Sequence, residues 1–398
     1  MTSRFILPWI LLFWVEVAMG QKGLPSDTPT SATVNTFYPA IVDFNDSLTH
    51  NLKLADGYTL GVAATGLGKP RMMAIAPNGG LYVTRRNTGD VLVLTDPGQD
   101  GRFQTLKTVI SKFPGVHGIA VRDGWIYLCS PKILAKGKLN PDYSIGPLDT
   151  IVNNLPEGGQ HDNRTLGFDK EGFLYISVGS DCNDCKETNP EHATIVRMKT
   201  DGSDRKVYAR GLRNTIGFDW HPVTGELWGM DHGTDWRGDS IPPEELNLIK
   251  EKGNYGWPQV YGKQQVDNTR EDPLGTTKAA YAKTTEASTM EFPAHSAPIN
   301  FKFYSTPAAR DSSELTALVT MHGSWNRKNP EGYNVQAIRF SNGRPVRVEK
   351  FLDGFLSADG KSRFGRPTGL AISTTGIIYL SDDENGVIYA IRPGSQSK

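Results

Sequence analysis

The chain of 398 residues is short of cysteine, of net charge and of long apolar runs. Each shortage excludes something. Three cysteines are too few for a disulfide scaffold. Cys182-Asn183-Asp184-Cys185 is a lone CxxC, and with no second CxxC a structural zinc tetrad is excluded. The strand-helix context of a redox-active pair is missing too, so a short-loop disulfide is expected, with Cys129 as a buried odd thiol. Basic and acidic residues balance at 43 each, which argues against nucleic acid or an anionic membrane as partner. Past the N-terminus no segment has 18 uninterrupted apolar residues, so no membrane span is expected. No nicotinamide fingerprint is seen, and no EF-hand loop. Helix signals are weak; Pro242-Pro243-Glu244-Glu245-Leu246 could start a brief turn.

Other features are present in strength. Arg4, the apolar run Phe5 to Val15 and the small-residue site Ala18-Met19-Gly20 read as a signal peptide over residues 1–20. The mature protein is then expected to be secreted, soluble and monomeric, with an N-terminal extension at 21–50. Two glycosylation sequons occur, Asn45-Asp46-Ser47 and Asn163-Arg164-Thr165. Glycine (42) and proline (25) suit many short strands joined by turns.

From about residue 51 a pattern repeats: small residue, apolar strand, Asp/Asn/Gly turn, aromatic-containing strand. Its aromatics are Tyr82, Tyr127, Tyr175 and Trp228, spaced 45, 48 and 53 residues apart. Tyr379 ends the series, and a degenerate copy falls at Ile299 to Leu318. Periods of 40 to 50 residues with paired short strands predict an all-β propeller. Copies near 70, 117, 165, 215, 300 and 370 give six blades over residues 51–398, with a long insertion loop over one face. Leu52 to Val62 is expected to pair with the last blade and close the ring.

The residues entering each innermost strand border the central channel. Arg71, Arg164, Asn214 and Arg366 stand at one offset in four repeats; Arg213 adjoins Asn214, and His117 immediately precedes Gly118. Any one arginine could pair with a local carboxylate. Several on one axis favour a polyanionic ligand, since like charges repel and an arginine fork suits carboxylates. His161 lies three residues before Arg164, beside Gln160 and Asp162, and is the candidate general base. A glycan on Asn163 would crowd it, so that sequon is expected to be unused. Met230 to Asp239 is rich in Asp and Gly and could offer oxygen ligands to calcium, or be a solvated loop. The insertion it opens holds Gly253-Asn254-Tyr255-Gly256-Trp257-Pro258 and runs to about Pro293. Arg327, in Met321 to Arg327, could serve the same anion or form a surface salt bridge.

At these residues the chain resembles the soluble quinoprotein glucose/sorbosone dehydrogenase family, above all the fungal pyrroloquinoline-quinone (PQQ) dependent pyranose dehydrogenases of auxiliary activity family 12. The matching stretches are His161 to Leu166, Val178 to Cys185, Gly211 to Asn214, Asp231 to Leu246, Gly253 to Pro258, His322 to Arg327 and Gly365 to Leu370. The resemblance implies a six-bladed propeller with PQQ across the channel, His161 as base, and Arg213 with Asn214 on the quinone oxygens. Arg327 and Arg366 would hold the cofactor's carboxylates. Arg71, His117, Arg164 and His232 complete the expected cofactor-binding set. Calcium (Ca2+) would bind the backbone carbonyls of Gly233 and Thr234. The reaction implied is oxidation of a sugar at C1, with electrons passed to an external acceptor. The family's lysine near the carboxylates has no counterpart; the stretch His322 to Arg327 stands in its place. Two rival readings are a calcium-dependent lactonase, which would want Asp, Asn and Glu on the axis, and a non-catalytic binding propeller.

Overall fold

Two turns show how local sequence sets the strand pairing. Arg122 pairs with Trp125 across Asp123-Gly124, and Ser341 with Arg344 across Asn342-Gly343. All four turn residues have positive φ, between 50° and 77°. That is the two-residue turn whose twist matches a hairpin, and the reason it takes Asp or Asn followed by Gly. The computed structural model describes residues 33–98, 100–157, 159–304 and 314–394. The expected signal peptide lies outside them.

The hairpins build six antiparallel sheets, the six blades of a propeller. Blade one begins at Met73, blade two at Gly118, blade three at Leu166, blade four at Thr215, blade five at Pro298 and blade six at Pro367. Each innermost strand follows the last around the axis, and that of blade six returns to that of blade one. Tyr58–Ala64 supplies the outermost strand of blade six, so the two ends of the ring are joined by one sheet, as Leu52 to Val62 led one to expect. Lys53–Leu54 extends blade five. Among the described residues, Lys278–Ala282 is the one α-helix, and no helix is long and apolar enough to cross a membrane.

The repeating aromatics fall on the second strand of their blades and are buried between sheets. Trp228 is wholly enclosed and meets Phe340 of blade five edge-on, with ring centroids 5.2 Å apart. Trp228→Ala should cost about 3–5 kcal/mol, read as a fall in the urea midpoint at unchanged slope.

Two residues beyond the aromatic position stand Thr84, Ser177 and Ser381, with Thr320 in the same place in blade five. Each hydroxyl accepts an N–H from its own innermost strand. Three of them also donate to a carbonyl entering the next blade: Thr84 to His117, Thr320 to Thr368, Ser381 to Arg71. Elsewhere other groups make the seam. Cys129 takes the hydroxyl's place in blade two, and there His117 Nδ1 donates to the Arg164 carbonyl at 3.0 Å. The Ser180 amide reaches the Arg213 carbonyl, and His232 Nε2 reaches that of Pro298 at 2.6 Å. Every junction around the axis thus carries one inter-blade hydrogen bond. Cys129 is a buried free thiol, and Cys182 and Cys185 form a disulfide, as expected.

Blade four departs from the sequence reading. Glu244–Ile249 is a strand, not a turn. Its two glutamates are drawn inside because backbone amides meet them: Glu244 accepts from Gly233 and Ala297, and Glu245 from Gly262. Burial pushes both carboxyls up to about 7. The insertion therefore begins after Ile249, not at Asp231. It climbs beside Lys206–Arg210, through bonds of Gly253, Tyr255 and Trp257 to Arg210 and Gly211, and rejoins blade four as Met290–Phe292. Trp257 Nε1 donates to the Thr234 hydroxyl at the face where the innermost strands begin.

Candidate active site

That face carries the expected residues because each lies just before an innermost strand or just after a second strand. Asp231 and Asp382 end the second strands of blades four and six. Asp231 accepts the amides of Arg213 and Asn214 and the Thr215 hydroxyl; Asp382 accepts the amides of Arg366 and Glu384. These carboxylates fix the backbone of Arg213, Asn214 and Arg366. Burial pushes Asp231 up to about 6 and Asp382 up to about 7.

Two polar groups result. In the first, His161 Nδ1 lies 2.8 Å from Ser180 Oγ, whose own hydrogen goes to the Cys182 carbonyl. Ser180 Oγ is therefore an acceptor, Nδ1 carries the hydrogen, and Nε2 keeps its lone pair. Burial first, then the Arg213 and His232 charges, push His161 down to about 3. It is neutral and oriented, with the lone pair of one known nitrogen, Nε2, free to accept a proton. Arg213 is almost fully buried and donates to the Asn183 carbonyl and Oδ1, to the His232 carbonyl and to Asp235. One Nη1 hydrogen remains without a partner among the described residues. Burial raises Asp235, but His295 and Arg213 outweigh it and hold the carboxyl below its usual range. The side-chain amide of Asn214 has no partner among the described residues.

In the second group, Asp383 takes Arg71 at 2.6 Å on one oxygen and His322 Nε2 at 2.8 Å on the other. His322 and Arg71, through charge and hydrogen bonds, overcome burial and hold the Asp383 carboxyl far below the ordinary range. Burial, then Arg366, push His322 down to about 4, so it donates as a neutral ring. Arg366 donates only to the carbonyls of His322 and Gly323, and its guanidinium lies 6.0 Å from the Tyr333 ring centre. Arg327 donates to the Ala294 carbonyl, and its buried Nε has no partner. Neither has a carboxylate in contact among the described residues. The Arg71 charge is felt at both His232 and His322, so the two groups lie within electrostatic reach of one another.

Two expected ligand residues are turned away from it. Arg164 and His117 have no exposed surface. Arg164 donates to the carbonyls of His161, Asn163 and Pro156, holding the His161 loop from behind. His117 is a seam donor. Neither can touch a ligand in the channel, which corrects their assignment to the cation set. His232 Nε2 is likewise committed to a seam. Asp383 and Asn183 were not foreseen as site residues. The signal for Asp383 was present: it follows a strand end, as His232 follows Asp231. A cavity of about 450 Å³ opens at the opposite end of the channel, but its lining, which includes Ile75, Val121, Phe168 and Lys302, holds none of these groups.

The arrangement fits an anion beside a cation. Arg366 and Arg327 are sheltered positive charges without anionic partners, a costly state unless a ligand supplies one. The carbonyls of Gly233 and Thr234 accept no hydrogen bond from any described residue, which leaves two oxygens for a hard cation. The sequence also matches the TrAA12-like family profile over residues 52–394.

The chain belongs to the TrAA12-like family.

Relatives of this TrAA12-like chain include a pyrroloquinoline quinone-dependent sugar dehydrogenase of Hypocrea jecorina, 25% identical over 85% of this chain and 88% of that protein. Among solved structures, the PQQ domain of Coprinopsis cinerea pyranose dehydrogenase in its holo form superposes with a TM-score of 0.72 at 22% identity. It covers 86% of this chain and 97% of that one. A calcium structure of the Trichoderma reesei AA12 enzyme gives 0.74 at 24% identity, over 90% and 98%. The structural likenesses show the same propeller fold.

Proposed function

We propose that the chain is a secreted oxidoreductase that oxidises the anomeric C1 hydroxyl of a pyranose or ketoaldose, using PQQ and calcium. The observation that carries this reading is a neutral, oriented imidazole on the same face as two half-buried arginines, Arg366 and Arg327, that have no carboxylate in contact among the described residues. Arg366 and Arg327 would hold the cofactor's carboxylates, Arg213 and Asn214 its quinone oxygens, and the Gly233 and Thr234 carbonyls the calcium. Arg71, already bound to Asp383, adds positive field rather than a free fork. When bound, PQQ polarised by calcium supplies an electrophilic quinone able to accept a hydride. His161 Nε2 takes the sugar's hydroxyl proton, and Ser180 holds the ring in the tautomer that allows it. The free Nη1–H of Arg213 stabilises negative charge that develops beside it. Electrons then leave to an external acceptor. A lactonase would want free carboxylates on the axis; here Asp235 and Asp383 are each bound to cations.

The test is to prepare the protein without cofactor, add PQQ and calcium, and follow dye reduction across aldoses and ketoaldoses. Turnover that needs both additions is expected. Absence of PQQ binding would overturn the reading.

Two further expectations follow. With His161 held near 3, kcat/KM should stay flat from pH 8 down to about 5 and fall only below that; the sign follows because the base is lost only on protonation. A limb near the ordinary histidine value would place the base elsewhere. Asn163 is half-buried and stands two residues from His161, where a glycan would crowd the site, so its sequon should carry no glycan, whereas Asn45 is exposed. Peptide mass analysis after deglycosylation checks both.

A further inference from the structure

At the rim of this face stand aromatic rings that the chemistry above does not use. Trp236 lies two residues beyond Thr234 and is 42% exposed; Tyr38, from the N-terminal segment, is 66% exposed. Trp325 lies between them. Its ring is 4.9 Å from that of Trp236 and steeply inclined to it at 73°, and 6.2 Å from that of Tyr38 at 15°.

The patch is held in place. Trp236 has φ of 67°, a left-handed conformation that a bulky aromatic rarely takes. Its amide donates to Oδ1 of the buried Asn326 at 2.7 Å, and Asn326 Nδ2 donates to the Asn35 carbonyl. The Phe37 amide donates to the Trp325 carbonyl, and Asn35 Nδ2 to Asp239. Three segments far apart in the chain thus converge to present these rings, and strain of this kind collects at binding sites.

Resting on the sugar-oxidising reading, the geometry points to a second carbohydrate subsite. Here Trp236 and Trp325 receive a pyranose ring of an oligosaccharide whose reducing end lies at His161. An aromatic face is negative and the C–H face of a pyranose is weakly positive, so the two attract while the hydroxyls point outward. Asp239 and the exposed Lys328 lie at the same rim to meet hydroxyls. Two rings inclined at 73° form a corner that suits a single sugar ring, where a docked protein would want a flat plate. The substrate class is then a short oligosaccharide rather than a monosaccharide alone.

The test uses the cofactor-free protein, so that binding is read without turnover. Glucose, maltotriose and cellotriose are titrated by calorimetry and tryptophan fluorescence. At least one trisaccharide should bind about tenfold more tightly than glucose. Trp236→Gly keeps the left-handed backbone accessible while removing the ring, and should bring that ratio close to one; Tyr38→Ala, at the surface, should lower it in part. PQQ binding to each variant is the control for folding. Equal affinity for glucose and both trisaccharides in the parent protein overturns the subsite. So does a preference that survives Trp236→Gly, and slower reduction of a protein acceptor beside that result would assign the patch to acceptor docking. Failure of the parent to bind PQQ instead overturns the oxidising reading on which the subsite rests.

Discussion

His161→Ala should lose at least about a hundredfold in turnover with PQQ affinity little changed. The expectation comes from what each ring nitrogen does. Nδ1 is committed to Ser180 and Nε2 has a lone pair. No other group in the first polar cluster can replace it: Arg213 has no lone pair, and Asp235 is occupied by Arg213 and His295. Dye-coupled kinetics of the loaded variant, beside a PQQ titration of the unloaded one, separate base loss from cofactor loss. Ser180→Ala gives a second reading of the same device. It frees the ring without removing it, so turnover should fall less than in His161→Ala, and the profile should stay flat above pH 5 because the ring is already neutral there. Full turnover in His161→Ala would remove the residue from the mechanism.

Arg366→Met should weaken PQQ binding by roughly a hundredfold, as expected when a sheltered cation facing an anion is removed. In the unloaded protein the same change should do little harm. Arg366 is half-buried with carbonyls as its partners, and desolvation lowers its pKa, so methionine removes a charge that the unloaded fold pays to desolvate. PQQ should therefore raise the melting temperature of the parent much more than that of the variant, by mass action on the folded state. Equal shifts in both would take Arg366 out of the anion site.

Much of this architecture was written in the period of the chain. Aromatics 45 to 53 residues apart count the first four blades, and a hydroxyl two residues beyond that position marks three of the seams. Cys129 stands at that same register, which accounts for the odd cysteine. What the period could not show was which side of the chain each residue presents. Arg164 has the same offset as Arg71 and Arg366, yet its guanidinium turns back to close the Pro156–Asn163 loop. The strand Glu244–Ile249 was hidden because two prolines and two glutamates read as polar, and only the folded chain supplies the amides that bring those carboxylates inside. Asp383 pairs with Arg71 across 312 residues, a contact no local pattern reveals.

The inter-blade bonds also set the route by which molecules come and go. They lie at the start of the innermost strands, level with His161 and Arg213. Widening the bore there would mean breaking bonds between neighbouring blades, so the blades act as a rigid collar. On the proposed function, cofactor and sugar would then arrive and depart through the mouth on the His161 side of this collar. Any gate has to be made from the segments draped around it, residues 232–243, 322–333 and the stretch around Tyr38. Exchange rates should accordingly answer to changes in those segments while remaining indifferent to changes deep within the sheets.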